Sequence, residues 1–212
     1  MLEKPDTRLF FPATKRNKDC IGNVLANFLP NDGVVLEIAS GSGEHGVTFQ
    51  TRFQGITWQT SDPNPSFRRS ISSWINHEGL ENKMPQPIDL NVRNRPWPLN
   101  PKLQKNLKAI VCINLLHISV WSCTRALFEE ASLCLQTKQF LFIYGPFKRN
   151  GKHTSKSNEL FDQSLRKENP NWGVRDSEKV HEIAIKNGFK KLDVIAMPAN
   201  NLLIVYHLDK NT

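Results

Sequence analysis

Two hydrophobic rhythms alternate along the chain, and each change of rhythm marks the edge of a predicted element. Ile21, Val24, Leu25, Phe28 and Leu29 recur at i, i+3, i+4, i+7 and i+8, which predicts a one-faced helix from Lys15 that Pro30 and the Asn31-Asp32-Gly33 turn end. Residues 34–38, Val-Val-Leu-Glu-Ile, then form a β-branched run, the pattern of a strand covered on both faces. Strands are predicted again at 56–61, 108–114 and 139–144, the second with an unbroken apolar heart from Ala109 to Ile113. Helical spacing returns between them, in Phe49 and Phe53, in Phe67, Ile71, Trp74 and Ile75, and in Leu127, Ala131, Cys134 and Leu135. Two further helices follow around Leu160, Phe161 and Leu165 and around Val180, Ile183 and Ala184, with Gly79 and Gly188 placed as C-terminal stops. Pro87 to Leu90 reads as a short strand, and residues 91–107, with Pro96, Pro98 and Pro101, as a loop holding one helical turn. Residues 1–14 keep no lasting period and are expected to form an arm, with one domain over residues 15–212.

The last two strands, 192–197 and 202–207, are joined by Pro198-Ala-Asn-Asn201, a link too short for anything but an antiparallel hairpin. Strands that alternate with helices imply a mostly parallel sheet with helices on both faces. The expected fold class is therefore α/β: one Rossmann-like domain with a seven-stranded, mostly parallel sheet and an antiparallel C-terminal hairpin strand.

Composition narrows the field only a little. A chain of 212 residues, 39% hydrophobic and 23% charged, is enough for one sizeable core. The longest uncharged stretch, 109–124, contains Asn114 and His117 and is too short to span a bilayer, so no membrane association is expected. Glu3, Lys4, Asp6 and Arg8 stand where a signal peptide would be apolar, which points to the cytoplasm. Cys20, Cys112, Cys123 and Cys134 lack metal or redox spacing; they are expected to be buried thiols, and no metal site is expected. The net charge of +8 raises the question of nucleic acid, but its clusters at 68–69, 102–108 and 148–156 are scattered and short of aromatics, so a small molecule is the expected partner.

Candidate chemistry gathers where the first strand breaks into Gly41-Ser-Gly43-Glu-His-Gly46. Glycines there permit a tight turn and close approach of bare backbone, and the amides opening the next helix favour an anionic or polar group of a nucleotide-like ligand. The spacing fits a dinucleotide fingerprint, with Asp62 about 20 residues on. Glu37 argues for another ligand. Its carboxylate would face a pyrophosphate, and like charges about 4 Å apart cost roughly 4 kcal/mol at an effective dielectric near 20, whereas a cation is attracted by as much. S-adenosylmethionine carries a sulfonium and an ammonium beside an adenosine.

Glu-x-Ala-x-Gly-x-Gly over 37–43 resembles the first motif of class I methyltransferases, and the order of elements resembles their sheet over nearly the whole chain. The chain resembles more specifically the methyltransferase-like protein 26 family, through Arg16-Asn-Lys-Asp19, Leu36-Glu-Ile-Ala-Ser-Gly41, Cys112-Ile-Asn114, Tyr144-Gly-Pro146, Ser157-Asn158, Trp172-Gly173 with Arg175-Asp176, and Met197-Pro-Ala-Asn-Asn-Leu202. The resemblance implies an S-adenosylmethionine site. Glu37, Ala39, Gly41, Gly43, Asp62, Asp89, Leu90 and Asn114 are the candidate cofactor residues, Asp62 for the ribose hydroxyls and Asp89-Leu90 for the adenine. Ala39 departs from the usual first glycine of the loop, and Leu135-Gln-Thr-Lys138 from a Pro-Gly-Gly turn. Methyl transfer asks mainly for positioning, with a base only if the acceptor arrives protonated. His117 and Tyr144 are the catalytic candidates; Trp121, Asn158, Arg175, Asn200 and Asn201 are the acceptor-binding ones.

Four of these have a structural alternative: a satisfied core histidine at 117, a turn at Asn200-Asn201, and a pair of Arg175 with Glu159 or Asp162. The competing functions are a pseudoenzyme that binds the cofactor as a regulatory ligand, an RNA methyltransferase, and an NAD-dependent oxidoreductase. The last is hinted at by Tyr144-x-x-x-Lys148, a pair that needs a helix which Gly145-Pro146 would break.

Overall fold

A computed structural model describes residues 6–210, so five of the arm's residues lie outside it. The chain divides into two compact units, one of residues 1–91 and 98–107 and the other of residues 92–97 and 108–212.

In the first unit, helix α1 (Pro12–Leu25) leads to strand β1 (Gly33–Ile38), helix α2 (Glu44–Arg52), strand β2 (Ile56–Thr60), helix α3 (Pro65–His77) and the short helix α4 (Pro101–Asn106). The first helix starts earlier than expected because Pro12 occupies its first turn, where a missing N–H costs nothing, and it ends at Leu25, before Phe28 and Leu29. Helices α3 and α4 begin alike: Asn64 and Asn100 accept from the amides of Ser66 and Leu103, and a proline follows each. Strands β1 and β2 pair in parallel from Gly33–Ile56 to Glu37–Thr60. The strand expected at 87–90 survives as a single parallel bridge between Ser61 and Ile88. Ile21, Leu25, Val35, Leu36, Phe49, Trp58, Ile71 and Ile75 are buried together in this unit's core. Each contributes on the order of 1.5–3 kcal/mol by leaving water.

The second unit holds strand β3 (Leu107–Ile113), helix α5 (Trp121–Cys134), strand β4 (Phe140–Arg149), strand β5 (Lys152–His153), helix α6 (Lys156–Glu168), strand β6 (Arg175–Asp176), helix α7 (Ser177–Lys186), and strands β7 (Phe189–Met197) and β8 (Asn201–Leu208). β3 and β4 run parallel, while β8 pairs antiparallel with both β4 and β7, as the short hairpin link requires. β4 runs five residues past its predicted end at Tyr144. Pro146 interrupts nothing there, since β3 stops pairing at Tyr144 and β6 starts at Phe147. The overrun pairs with the two-residue strands β5 and β6, neither of which has a sequence signature. β7 pairs only with β8 among the described residues, and its register slips between Lys191 and Asp193. Leu127, Phe128, Phe142, Val180, Phe189 and Tyr206 make this unit's core.

Candidate functional site

Strand β1 ends in backbone that ordinary residues avoid. Ala39, Gly41 and Gly43 all have positive φ, at 56°, 56° and 93°. The Gly43 Cα lies so near helix α3 that an added Cβ would sit 2.8 Å from the Ile71 Cα, so this position requires glycine twice over. Serines tie the loop to its neighbours: Ser61 donates to the Glu37 carbonyl at 2.7 Å, and the Ser61 amide donates to Ser40 Oγ at 3.2 Å. Asp62 accepts from the Gly41 amide at 3.0 Å and from the Asn64 amide at 2.8 Å. Burial raises the Asp62 carboxyl above its ordinary value despite these two amides.

Glu37 is 1% exposed; Trp58 Nε1–H donates to its Oε2 at 2.8 Å, and the Ser40 side chain also hydrogen-bonds the carboxyl. Burial pushes this carboxyl from 4.5 up to about 8, with the Trp58 hydrogen bond pulling the other way. No cationic side chain pairs with it among the described residues. On the far side of the loop, Lys18 pairs with Glu44 at 2.8 Å, and buried His45 meets Asn17 Oδ1 at 2.8 Å. Burial, then Lys18, lowers His45 to about 3, so a neutral ring donates through Nε2–H.

Two of the adenine-side candidates behave differently from the loop. The Asp89 side chain is 70% exposed and pairs with Arg68 at 2.9 Å, whereas Leu90 is 1% exposed and belongs to the core. The arm was missed as part of this region. Leu9 N–H donates to Ser70 Oγ at 2.8 Å, and Ser70 donates to the Ser42 carbonyl at 2.6 Å, so arm, helix α3 and glycine loop are joined. Phe11 stacks edge-on to Phe67, and its ring edge lies about where a Gly41 Cβ would touch, at 3.1 Å. The adjacent Phe10-Phe11 pair was the available signal.

In the second unit, Asn114 ends β3 with φ 60°, and its amide donates to the Tyr144 carbonyl at 2.9 Å. The turn Leu116–Ile118 follows and carries His117, 5% exposed. The imidazole stands edge-on to Phe161 and comes so close to Gly145 that a Cβ there would lie 3.2 Å from Nδ1. Burial, then the nearby Arg175, lowers it to about 4, so the ring is neutral at pH 7. Arg175 pairs with neither Glu159 nor Asp162. It donates to the carbonyls of Leu116, Ser119 and Asn171, bracing the turn that carries His117, and its guanidinium lies 5.6 Å over the Trp121 ring. Asn158 Nδ2 donates to Thr154 Oγ1 and the Asn200 carbonyl, while Asn201 Nδ2 donates to the Pro198 carbonyl. Asn200 also takes φ 57°, so Asn200 and Asn201 do serve the turn. Tyr144 is buried in β4. Lys148, four residues on, is in a strand and pairs with Asp162 at 2.9 Å, so the dehydrogenase-like spacing has no helical geometry behind it.

The sequence model of a family described as "Protein of unknown function (DUF938)" matches residues 8–208. The chain belongs to that family. Solved structures give this DUF938 chain its fold. An O-methyltransferase family protein from Burkholderia thailandensis matches with a TM-score of 0.75 at 13% identity, covering 94% of this chain and 58% of its own. Human N-acetylserotonin methyltransferase, solved with SAM, matches at 0.71 and 11% identity, over 89% and 52%. An O-methyltransferase family 2 protein from Planctomyces limnophilus, solved with apigenin, matches at 0.72 and 16% identity, over 92% and 62%. The DUF938 chain thus has the α/β Rossmann-like methyltransferase fold, with antiparallel C-terminal strands, and spans a little over half the length of these structures. No helix among its described residues is long and apolar enough to cross a membrane.

Proposed function

We propose that the protein is an S-adenosylmethionine-dependent methyltransferase acting on a small-molecule acceptor. The observation that carries this reading is Glu37: a buried carboxyl with no cationic side chain paired to it among the described residues, near the end of β1 and beside three alternate positions, 39, 41 and 43, that hold positive φ. A dinucleotide's pyrophosphate would hold this carboxyl protonated and gain no ion pair from it, while a cationic ligand would favour its ionised form and be attracted by it. The donor set therefore fits S-adenosylmethionine, with Gly41 and Gly43 giving bare backbone and Asp62 a carboxylate for ribose hydroxyls. Asp89, Leu90 and Asn114 complete the proposed cofactor residues, Leu90 from within the core. When bound, this cofactor supplies a methyl group on a sulfonium that leaves as a neutral thioether.

The chain's own part is to position and to take a proton. His117, neutral at pH 7 and held by Phe161 and the braced turn, is the proposed proton acceptor for a hydroxyl-bearing substrate. Tyr144, Trp121 and Arg175 are its proposed companions; Asn158, Asn200 and Asn201 act through the turn they build. The resemblance to methyltransferase-like protein 26 supports the same reading, as do the small-molecule methyltransferases that share the fold. Calorimetry with S-adenosylmethionine and with NAD tests the proposal. Saturable heat from the former alone is expected; tight NAD binding with none from S-adenosylmethionine would end it. A regulatory pseudoenzyme would bind the cofactor equally well but transfer no labelled methyl group to any component of a metabolite extract.

A further inference from the structure

Around the overrun of β4, the second unit gathers cations in excess of the carboxylates available to them. A cavity of about 430 Å³ is lined there by Trp121, Lys148, Arg166, Arg175, Asp176 and Lys179, among others, a volume within the usual range for small-ligand sites. Its two nearest acids are already engaged, and a third, Glu178, is hydrogen-bonded to Asp176. Asp162, 4% exposed, takes Lys148 at 2.9 Å, His153 at 3.2 Å, Arg166 Nε at 3.2 Å and the Val174 amide at 2.8 Å. Asp176 caps α7, accepting from the amides of Glu178 and Lys179, and also takes the Gly151 amide at 2.6 Å. Donors, by contrast, are left over. Lys179 Nζ has no hydrogen bond or ion pair among the described residues, Arg166 spends only Nε, and Arg175 spends Nε and Nη2 but not Nη1.

The arrangement is built rather than loose. Gly173, at φ 144°, lets Arg166 and Asp162 cross its bare Cα, where a Cβ would lie 2.7 Å and 2.6 Å from them. Trp121 lies under the Arg175 guanidinium and walls the cavity on one side.

We propose that this cavity binds a small oxyanion, the carboxylate or phosphate group of a small molecule, through Lys179 Nζ, the free edge of Arg166 and Arg175 Nη1. Charge-assisted bonds from three cations converge on one space, and a guanidinium edge matches two oxygens of either group. The site does not depend on the methyl-transfer reading. Because Arg175 also braces the turn that carries His117, its ligand would be either the anionic end of the acceptor or a separate small anion.

The test is titration of inorganic phosphate into the full chain at low ionic strength, followed by calorimetry, with Lys179→Gln, Arg166→Gln and the control Lys156→Ala. Saturable one-to-one binding is expected, weakened about tenfold in each Gln variant and unchanged in the control. Lys179 is exposed and its ammonium makes no hydrogen bond or ion pair among the described residues, so its variant tests the site with little risk to the fold. Absence of saturable binding, or binding equal in all variants, overturns the proposal whatever becomes of methyl transfer. Where binding is present, phosphate that competes with the methyl acceptor in a turnover assay assigns the site to the acceptor's anionic end. Phosphate that binds without competing assigns it to a separate anion.

Discussion

Replacing Glu37 by glutamine separates what this carboxylate does for the fold from what it does for a ligand. In the folded chain its ordinary value of 4.5 rises to about 8, mainly through burial. Below pH 4.5 both folded and unfolded chains carry the proton, and nothing is lost. Between 4.5 and 8 the unfolded chain ionises while the folded one stays protonated, so folding takes up a proton and stability falls as pH rises. The fall is about 1.4 kcal/mol per pH unit, which makes about 3 kcal/mol at pH 7 an upper limit. Glutamine cannot titrate, and its amide oxygen still accepts from Trp58 Nε1–H. Whatever its offset at pH 5, the variant should therefore gain about 2–3 kcal/mol on the wild type between pH 5 and pH 7. Urea denaturation of both ligand-free proteins across that range measures the difference. A difference that stays flat with pH would refute the buried, protonated carboxyl. In the same variant, S-adenosylmethionine should bind more weakly, and the proton that the wild type releases on binding, read in buffers of different ionisation enthalpy, should disappear.

Gly43→Ala meets both a positive φ and the Ile71 backbone, so a loss of about 2–4 kcal/mol is expected in chemical denaturation; a loss below 1 would mean that the loop shifts freely. Tyr206→Phe should be neutral or stabilise by up to about 1 kcal/mol, because the buried hydroxyl lacks a hydrogen-bond partner among the described residues. A clear loss of melting temperature would count against this. For Asp162, burial alone would raise the carboxyl, but the Lys148 hydrogen bond, the Val174 amide and the charges of Lys148 and Arg166 hold it below 3.8. Its stabilisation is thus present above the unfolded value and lost as pH falls through the folded one. Asp162→Asn should cost about 2–3 kcal/mol at pH 7 and much less at pH 2, and an equal loss at both would exclude an electrostatic cause.

The hydrophobic rhythm was enough for every long strand and helix, because burial on one face or two leaves a period in the sequence. It failed where backbone pairing alone makes the element. Lys152-His153 and Arg175-Asp176 are strands only because β4 overruns, and no apolar pattern records a polar two-residue pairing. The glycine loop was legible for the same reason that it is strained: positive φ selects glycine, and Ala39 holds that conformation without being one. Side-chain assignments were harder. Arg175 reads as a ligand-binding or ion-pairing residue; it pairs with no carboxylate among the described residues and braces three carbonyls, partners invisible to any reading of residue types. The arm's docking through Ser70 and Ser73 was hidden likewise, since serines on a helix read as solvated surface.

The register slip in β7 bears on how this protein behaves at high concentration. An unpaired strand edge is a template on which another molecule can extend the sheet. Here that edge carries Lys190 and Lys191, then shifts register before Asp193, with exposed Leu192 at the shift. A second copy approaching edge to edge would meet the Lys191 charge, the Lys190–Asp209 pair and an interrupted row of amides. Straightening the strand by deleting Leu192 while neutralising both lysines would remove these guards together, and faster growth of sheet-rich aggregates than from the native chain would then be expected.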